Sequence, residues 1–159
     1  MDVETIKIFL NKKNTIAFVG ATKQKEKWGY KKYKNIKDVG YRVYPVNPKY
    51  DEVEGLKTVA TVKELPADVT NAILAVPSDL TEKIVDQCID TPIKRVWMIR
   101  GMGRGAYTEE AHRKCAENGI EVVYGFCPMM FMGEGMHKFH FWLRTRFGKL
   151  PAEYLVSEN

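Results

Sequence analysis

The sequence predicts an α/β fold, a doubly wound parallel sheet of five strands with helices on both faces. Three observations carry that expectation. Five short runs of β-branched and aromatic residues recur along the 159-residue chain. Stretches with apolar residues at helical spacing lie between them. Small, polar or glycine-containing breaks follow each run. Strands that alternate with helices in this way form an open parallel sheet, because crossover connections are short and right-handed.

Composition narrows the class. The apolar and charged fractions, 45% and 28%, are those of an ordinary globular domain, so disordered and collagen-like chains are excluded. No apolar run reaches membrane-spanning length, and Met1 to Thr5 lacks the shape of a signal peptide. The 3 cysteines, Cys88, Cys115 and Cys127, have neither close pairing nor metal-ligand spacing, which suits a reducing cytoplasm. A net charge of +5 favours anionic partners without choosing among them.

Taken in order, Asp2 to Lys13 places Val3, Ile6, Phe9 and Leu10 at helical spacing, with Asp2 as N-cap. Thr15 to Val19 is a buried strand that breaks at Gly20. Trp28 to Val39 sets Tyr33, Ile36 and Val39 on one helical face, and Gly40 stops that helix. Tyr41 to Val46 is the second strand and Asp51 to Gly55 a loop. Thr61 to Glu64 has capping-box form and starts one helical turn before Pro66. Asn71 to Val76, apolar on both faces, is the central third strand. Pro77-Ser78-Asp79 starts a helix with the stripe Leu80, Ile84, Val85 and Cys88. Arg95 to Ile99 is the fourth strand and Ile120 to Tyr124 the fifth. Between them Thr108 caps a helix carrying Glu109 and Glu110 in its first turn, and Asn118-Gly119 ends it. One domain is expected over residues 1–132. Residues 133–159 form an amphipathic helix and tail, either packed on the sheet or serving as the arm of a homodimer, since Phe139, Phe141, Trp142, Leu143 and Phe147 exceed what one sheet face needs.

Ligands of doubly wound sheets sit outside the carboxyl ends of the strands, where strand order reverses. The loops that belong there are Gly20 to Lys23, Val46 to Lys49, Val76 to Asp79, Gly101 to Gly105 and Gly125 to Pro128. Glycine lets backbone approach a ligand, and free N–H groups at a helix start suit an anion, so Gly20 to Lys23 is read as holding a phosphate of a nucleotide-like ligand. The usual nicotinamide dinucleotide fingerprint needs three glycines in the first turn and an acid after the second strand. Here the first turn is Gly20-Ala-Thr-Lys, and the second strand ends in Val46-Asn-Pro-Lys49, with no carboxylate. Lys49 would instead pair with a phosphate on the ribose, as in coenzyme A or NADP. A solvated loop lysine is the plainer reading of the same residue.

At this point the residues carry a resemblance. Val19-Gly-Ala-Thr22, Tyr44-Pro-Val-Asn-Pro48 and Ala75-Val-Pro77, with Gly119-Ile-Glu-Val-Val123 followed by Cys127-Pro-Met129, are similar to the CoA-binding domain family. That family is the Rossmann-like module also present in succinyl-CoA synthetase and acyl-CoA synthetases. The resemblance implies that Gly20, Ala21, Thr22 and Lys23 cradle the CoA diphosphate. It implies that Val46, Asn47, Pro48 and Lys49 line the adenine and 3′-phosphorylated ribose, and that Val76 and Pro77 pack on the adenine side. One departure is visible: stand-alone members usually show an arginine soon after the first turn, where this chain has Lys25 and Lys27 before Trp28-Gly29.

The other motifs are plainer. Seven lysines between Lys23 and Lys37, interleaved with Trp28, Tyr30 and Tyr33, would suit single-stranded nucleic acid, but a solvated helix face explains them and no nucleic-acid partner is expected. Gly101 to Gly105 either forms a flexible turn or approaches the pantetheine arm. Cys127 is either a small buried hydrophobe or a thiol placed to form a mixed disulfide with CoA. His112, His137 and His140 lack a nucleophilic partner or further metal ligands, so neither a catalytic residue nor a metal site is assigned. The expectation is a cytoplasmic CoA-binding carrier, sensor or partner subunit with no active site of its own and no membrane partner. The alternatives are a small NADP-linked oxidoreductase, for which no Tyr-x-x-x-Lys pair is suitably placed, and a nucleotide-sensing redox regulator, for which the stretch before the first strand is short.

Overall fold

The structure, a computed structural model, describes residues 3–99, 105–132, 139, 142–144 and 146–147. Helix α1 (Val3–Phe9) precedes strand β1 (Thr15–Val19), α2 (Trp28–Asp38) and β2 (Arg42–Val46). A hairpin of β3 (Glu52–Val53) and β4 (Leu56–Lys57) and a single 3-10 turn (Val62–Glu64) lead to β5 (Val69–Leu74). Then come α3 (Ser78–Ile89), β6 (Arg95–Met98), α4 (Glu109–Glu117), β7 (Glu121–Tyr124) and α5 (Met129–Met132). Strands β2-β1-β5-β6-β7 form one parallel sheet in that order. This is the doubly wound α/β sheet expected, with the order reversing between β1 and β5.

Both faces of the sheet are covered. Ile16, Phe18, Ile73, Trp97 and Val123 face Ile6, Phe9, Tyr33 and Ile36 of α1 and α2, together with Met129 and Met130 of α5. The alternate residues Ala17, Val19, Ala72, Leu74, Val96 and Met98 face Val85 and Cys88 of α3 and Ala111 and Cys115 of α4. Every residue of β1 is buried, the pattern of a central parallel strand. Trp97 is fully buried, meets Phe9 edge-on at 5.3 Å, and donates its indole N–H to the Phe126 carbonyl at 3.1 Å.

Three local expectations are corrected. The segment read as a loop, Asp51 to Gly55, contributes to a hairpin in which Glu52 pairs with Lys57 and Val53 with Leu56. Its two-residue turn holds Glu54 at φ 51° and Gly55 at φ 76°. Strands this short leave no period to read. Long-range contacts hold them: Val53 is buried, Tyr30 donates to the Glu54 carboxylate at 2.7 Å, and Lys37 donates to the Glu54 carbonyl at 2.7 Å. Strand β5 starts at Val69, two residues before Asn71, because an irregularity between Thr15 and Ile16 lets Val69 pair with Thr15. The buried stripe of α3 is Thr81, Val85 and Cys88, while Leu80 is 46% exposed. Thr81 can be buried because its hydroxyl donates back to the Pro77 carbonyl at 3.4 Å.

The capping box at Thr61–Glu64 and the Thr108 cap, which accepts from the Ala111 N–H at 3.0 Å, are formed as read. The Asp2 cap lies outside the described residues. Of the C-terminal segment, Phe139, Trp142, Leu143 and Phe147 are described and exposed, and Arg144 donates to the Gly125 carbonyl at 3.3 Å.

Candidate functional site: the loops at the strand tips

The sheet register aligns Val46, Val19, Leu74, Met98 and Tyr124 as successive partners across all five strands. These residues end, or nearly end, their strands, so the loops that follow them emerge side by side. At the reversal of strand order the packing is closest. Gly20 has φ 100° and donates its N–H to the Val46 carbonyl at 3.0 Å, while the Ala75 N–H donates to the Val19 carbonyl at 2.9 Å. A Cβ on Gly20 would lie 2.4 Å from the Ala75 carbonyl oxygen. Only glycine fits that contact at that dihedral.

The first helix after Gly20 starts at Trp28, with Ala21 to Lys27 intervening. The start of α2 nevertheless folds back over the tip of β1, since a Cβ on Gly29 would lie 2.6 Å from the Gly20 carbonyl oxygen. No side chain caps this helix and no acid sits in its first turn. Its N-terminal N–H groups and dipole therefore present positive potential at the strand tips.

The β1 and β2 loops are tied together. Asn47 donates its side-chain N–H to the Ala21 carbonyl at 2.7 Å, and its Oδ1 accepts from the Lys49 N–H at 3.0 Å. The Thr22 hydroxyl donates to the Tyr50 oxygen at 3.0 Å. Of the residues singled out in the sequence, Gly20, Ala21, Thr22, Val46, Asn47 and Val76 are thus neighbours at one end of the sheet. Lys23, Pro48, Lys49 and Pro77 are exposed around them. Among the described residues, Lys23, Lys25, Lys27 and Lys49 form no ion pair, so their charge is available to an anion. Gly29 and Tyr50 were missed. Gly29 had a signal in its place in the first turn of a basic helix, whereas nothing near Tyr50 distinguishes it from a loop aromatic.

The remaining tip loops are less revealing. Residues 101–104 of the glycine-rich stretch lie outside the described residues, and Ala106 donates to the Ile99 carbonyl at 3.0 Å where the chain returns to β6. His112 meets the Tyr107 hydroxyl at 3.3 Å, and Tyr107 stacks on Tyr124 at 4.3 Å. With Thr108 as cap, Tyr107 and His112 occupy the positions of a staple that fixes the start of α4, which accounts for the histidine. His137 and His140 lie outside the described residues. No group of three metal-ligating side chains occurs among the described residues.

The thiols divide clearly. Burial pushes the Cys88 thiol up to about 12 and the Cys115 thiol up to about 11, whereas Cys127 is half-buried in the loop after β7, at the same end of the sheet as the other strand tips. Thiolate is the reacting form. A disulfide reagent at pH 8 should therefore label Cys127 in the folded protein, and Cys88 and Cys115 only after unfolding. Rapid native labelling of a second thiol would contradict this.

A cleft of about 460 Å³ lies at the opposite end of β1 and β2, lined in part by Thr15, Lys37, Tyr41, Arg42 and Leu56. Of its three lining cations, Arg42, Lys37 and Lys57, two are engaged: Arg42 donates to the Lys13 carbonyl at 2.8 Å and Lys37 to the Glu54 carbonyl at 2.7 Å.

Comparison with known proteins decides the family of the chain. Residues 14–132 match the CoA binding domain family. The chain belongs to the CoA-binding domain family. The CoA-binding domain is 37% identical over 112 residues to the alpha subunit of an ADP-forming acetate–CoA ligase II from Pyrococcus furiosus, covering 70% of this chain and 24% of that one. It is 29% identical over 124 residues to the uncharacterized protein YneT of Bacillus subtilis, covering 77% and 87%. Among solved structures, a hypothetical protein from Pyrococcus horikoshii superposes with a TM-score of 0.73 at 35% identity, over 81% of this chain and 88% of that one. An ADP-forming acetate–CoA ligase from Methanocaldococcus jannaschii is 35% identical over 80 residues, half of this chain. The chain spans only 11% and 24% of the two ligase relatives.

No helix among the described residues is long and apolar enough to cross a membrane.

Proposed function

We propose that this CoA-binding domain holds coenzyme A, or an acyl-CoA, across the tips of β1, β2 and β5. The diphosphate lies on Gly20 to Lys23, and the adenine and 3′-phosphorylated ribose lie against Val46 to Lys49, with Val76 and Pro77 on the adenine side. The family match carries the reading, since its bounds enclose all three loops. The physical support is the glycine contact at the strand reversal, the uncapped start of α2, and Lys23, Lys25, Lys27 and Lys49, which form no ion pair among the described residues. The domain acts in the cytoplasm as a carrier, sensor or partner subunit and has no active site of its own. The ligase relatives, of which it spans a fraction, favour the partner-subunit role.

Thermal melting with CoA, dephospho-CoA, NAD and NADP tests this. A ligand bound only by the folded state raises the midpoint with its concentration, by about 2.7 kcal/mol of stability at one hundred times its Kd. CoA should raise it most, and dephospho-CoA less. Lys49→Ala should bring the CoA shift down to that of dephospho-CoA while leaving the unliganded midpoint unchanged. Equal shifts for CoA and dephospho-CoA in the wild type would remove Lys49 from the site. A larger shift with NADP than with CoA would replace the ligand.

A further inference from the structure

The hydrogen bonds between the first two tip loops assign a role that the ligand reading alone does not. A hydroxyl has one proton to give. That of Thr22 goes to the Tyr50 oxygen at 3.0 Å, while the same hydroxyl accepts from the Gln24 N–H at 3.2 Å. Asn47 is committed in the same way, donating to the Ala21 carbonyl at 2.7 Å and accepting from the Lys49 N–H at 3.0 Å. The turn from Asn47 returns the chain to Tyr50, which is partly buried and packs against the hydrophobic core. The two loops therefore close into a ring through Ala21, Thr22, Tyr50 and Asn47.

We infer that Thr22, Asn47 and Tyr50 are positioning residues, a clasp that fixes the β1 loop against the β2 loop before CoA arrives. Backbone N–H groups and lysines are left to meet the phosphates. This rests on the CoA reading above. A ligand that spans two separately moving loops loses affinity to the ordering of both, and a clasp formed beforehand removes that cost. Tyr50 suits the task because its hydroxyl is held by a ring anchored in the core instead of by a flexible stem. Asn47 fixes the Lys49 N–H within the same ring, so the clasp also sets where the 3′-phosphate cation starts from. The diphosphate end and the 3′-phosphate end of the site are thereby coupled through a residue that touches neither.

The test is a double-mutant cycle by titration calorimetry with CoA and dephospho-CoA, using Thr22→Val, Tyr50→Phe and the pair. Each single change should weaken CoA binding about three- to tenfold, the range one hydrogen bond supports. The pair should cost no more than the worse single change, because both remove the same bond. Thr22→Ser should restore wild-type affinity. Tyr50→Phe should also reduce the preference for CoA over dephospho-CoA, which a loss of general stability would not do. Additive losses, or an unaffected Tyr50→Phe beside a damaged Thr22→Val, would place Thr22 directly on the ligand and overturn the assignment. Tighter binding by Tyr50→Phe would overturn it too, by showing that the bond must open for CoA. A wild type that binds no CoA refutes the CoA reading, and the clasp with it. A wild type that binds while Tyr50→Phe is unchanged refutes the clasp alone.

Discussion

Gly20→Ala should destabilise the protein by about 3 kcal/mol and remove the stabilisation given by CoA. Two effects add at this position. The new Cβ would sit 2.4 Å from the Ala75 carbonyl oxygen, a backbone atom at the tip of the neighbouring strand that cannot swing aside like a side chain. The residue would also have to hold φ 100°, outside the region open to alanine, and strain of that kind costs roughly 1–3 kcal/mol. Relief would require the loop to lift off β5, which opens the place where the diphosphate is read to lie. Gly29→Ala separates the two effects. Its Cβ would meet the Gly20 carbonyl at 2.6 Å, and Gly29 is not among the glycines at positive φ. It should therefore cost less stability while still pushing the start of α2 from the strand tip. Urea unfolding of both variants, with and without CoA, checks this. Wild-type stability in Gly20→Ala would mean that the β1 tip is not packed as described.

Trp97→Ala should cost about 4 kcal/mol, within the range for deleting a large buried aromatic. The indole is fully buried on β6, between Phe9 at 5.3 Å and Phe131 at 5.7 Å. Its N–H also fixes the Phe126 carbonyl, so alanine leaves both a cavity and an unpaired buried acceptor. Trp97→Phe keeps most of the volume and should cost clearly less. The consequence for the site is local. Phe126 precedes Cys127 in the loop after β7, and losing its anchor should speed native thiol labelling at that cysteine. Unfolding curves for the three proteins decide the matter, and a loss below 1 kcal/mol in Trp97→Ala would contradict the packing of this face.

How far the sequence reveals this molecule depends on the range of the cause. Thr108 with its helix, the capping box at Thr61 and the largely apolar β1 are decided by neighbours a few residues away, and each was legible. The doubly wound order also follows from the alternation of strands and helices, because handedness leaves few other topologies. Leu80 and Thr81 show the limit. Both suit a helix, and which of them faces the sheet depends on how α3 is rotated against β5 and β6. The β3–β4 hairpin was illegible for a related reason, since two-residue strands are held by distant partners, the core around Val53 and Tyr30 and Lys37 on α2. At the site, the glycine at 20 and the Asn-Pro turn at 47 announce themselves by residue type. Tyr50 does not, because its role exists only when Thr22, far back in the chain, is brought beside it.

The central claim is that CoA lies on the tips of β1, β2 and β5, and hydrogen exchange of the backbone amides with and without CoA tests it most directly. The account predicts CoA-dependent slowing confined to residues 20–29, 46–50 and 75–78. Slowing that appears instead around Lys37, Arg42 and Leu56, at the opposite end of the sheet, would contradict it.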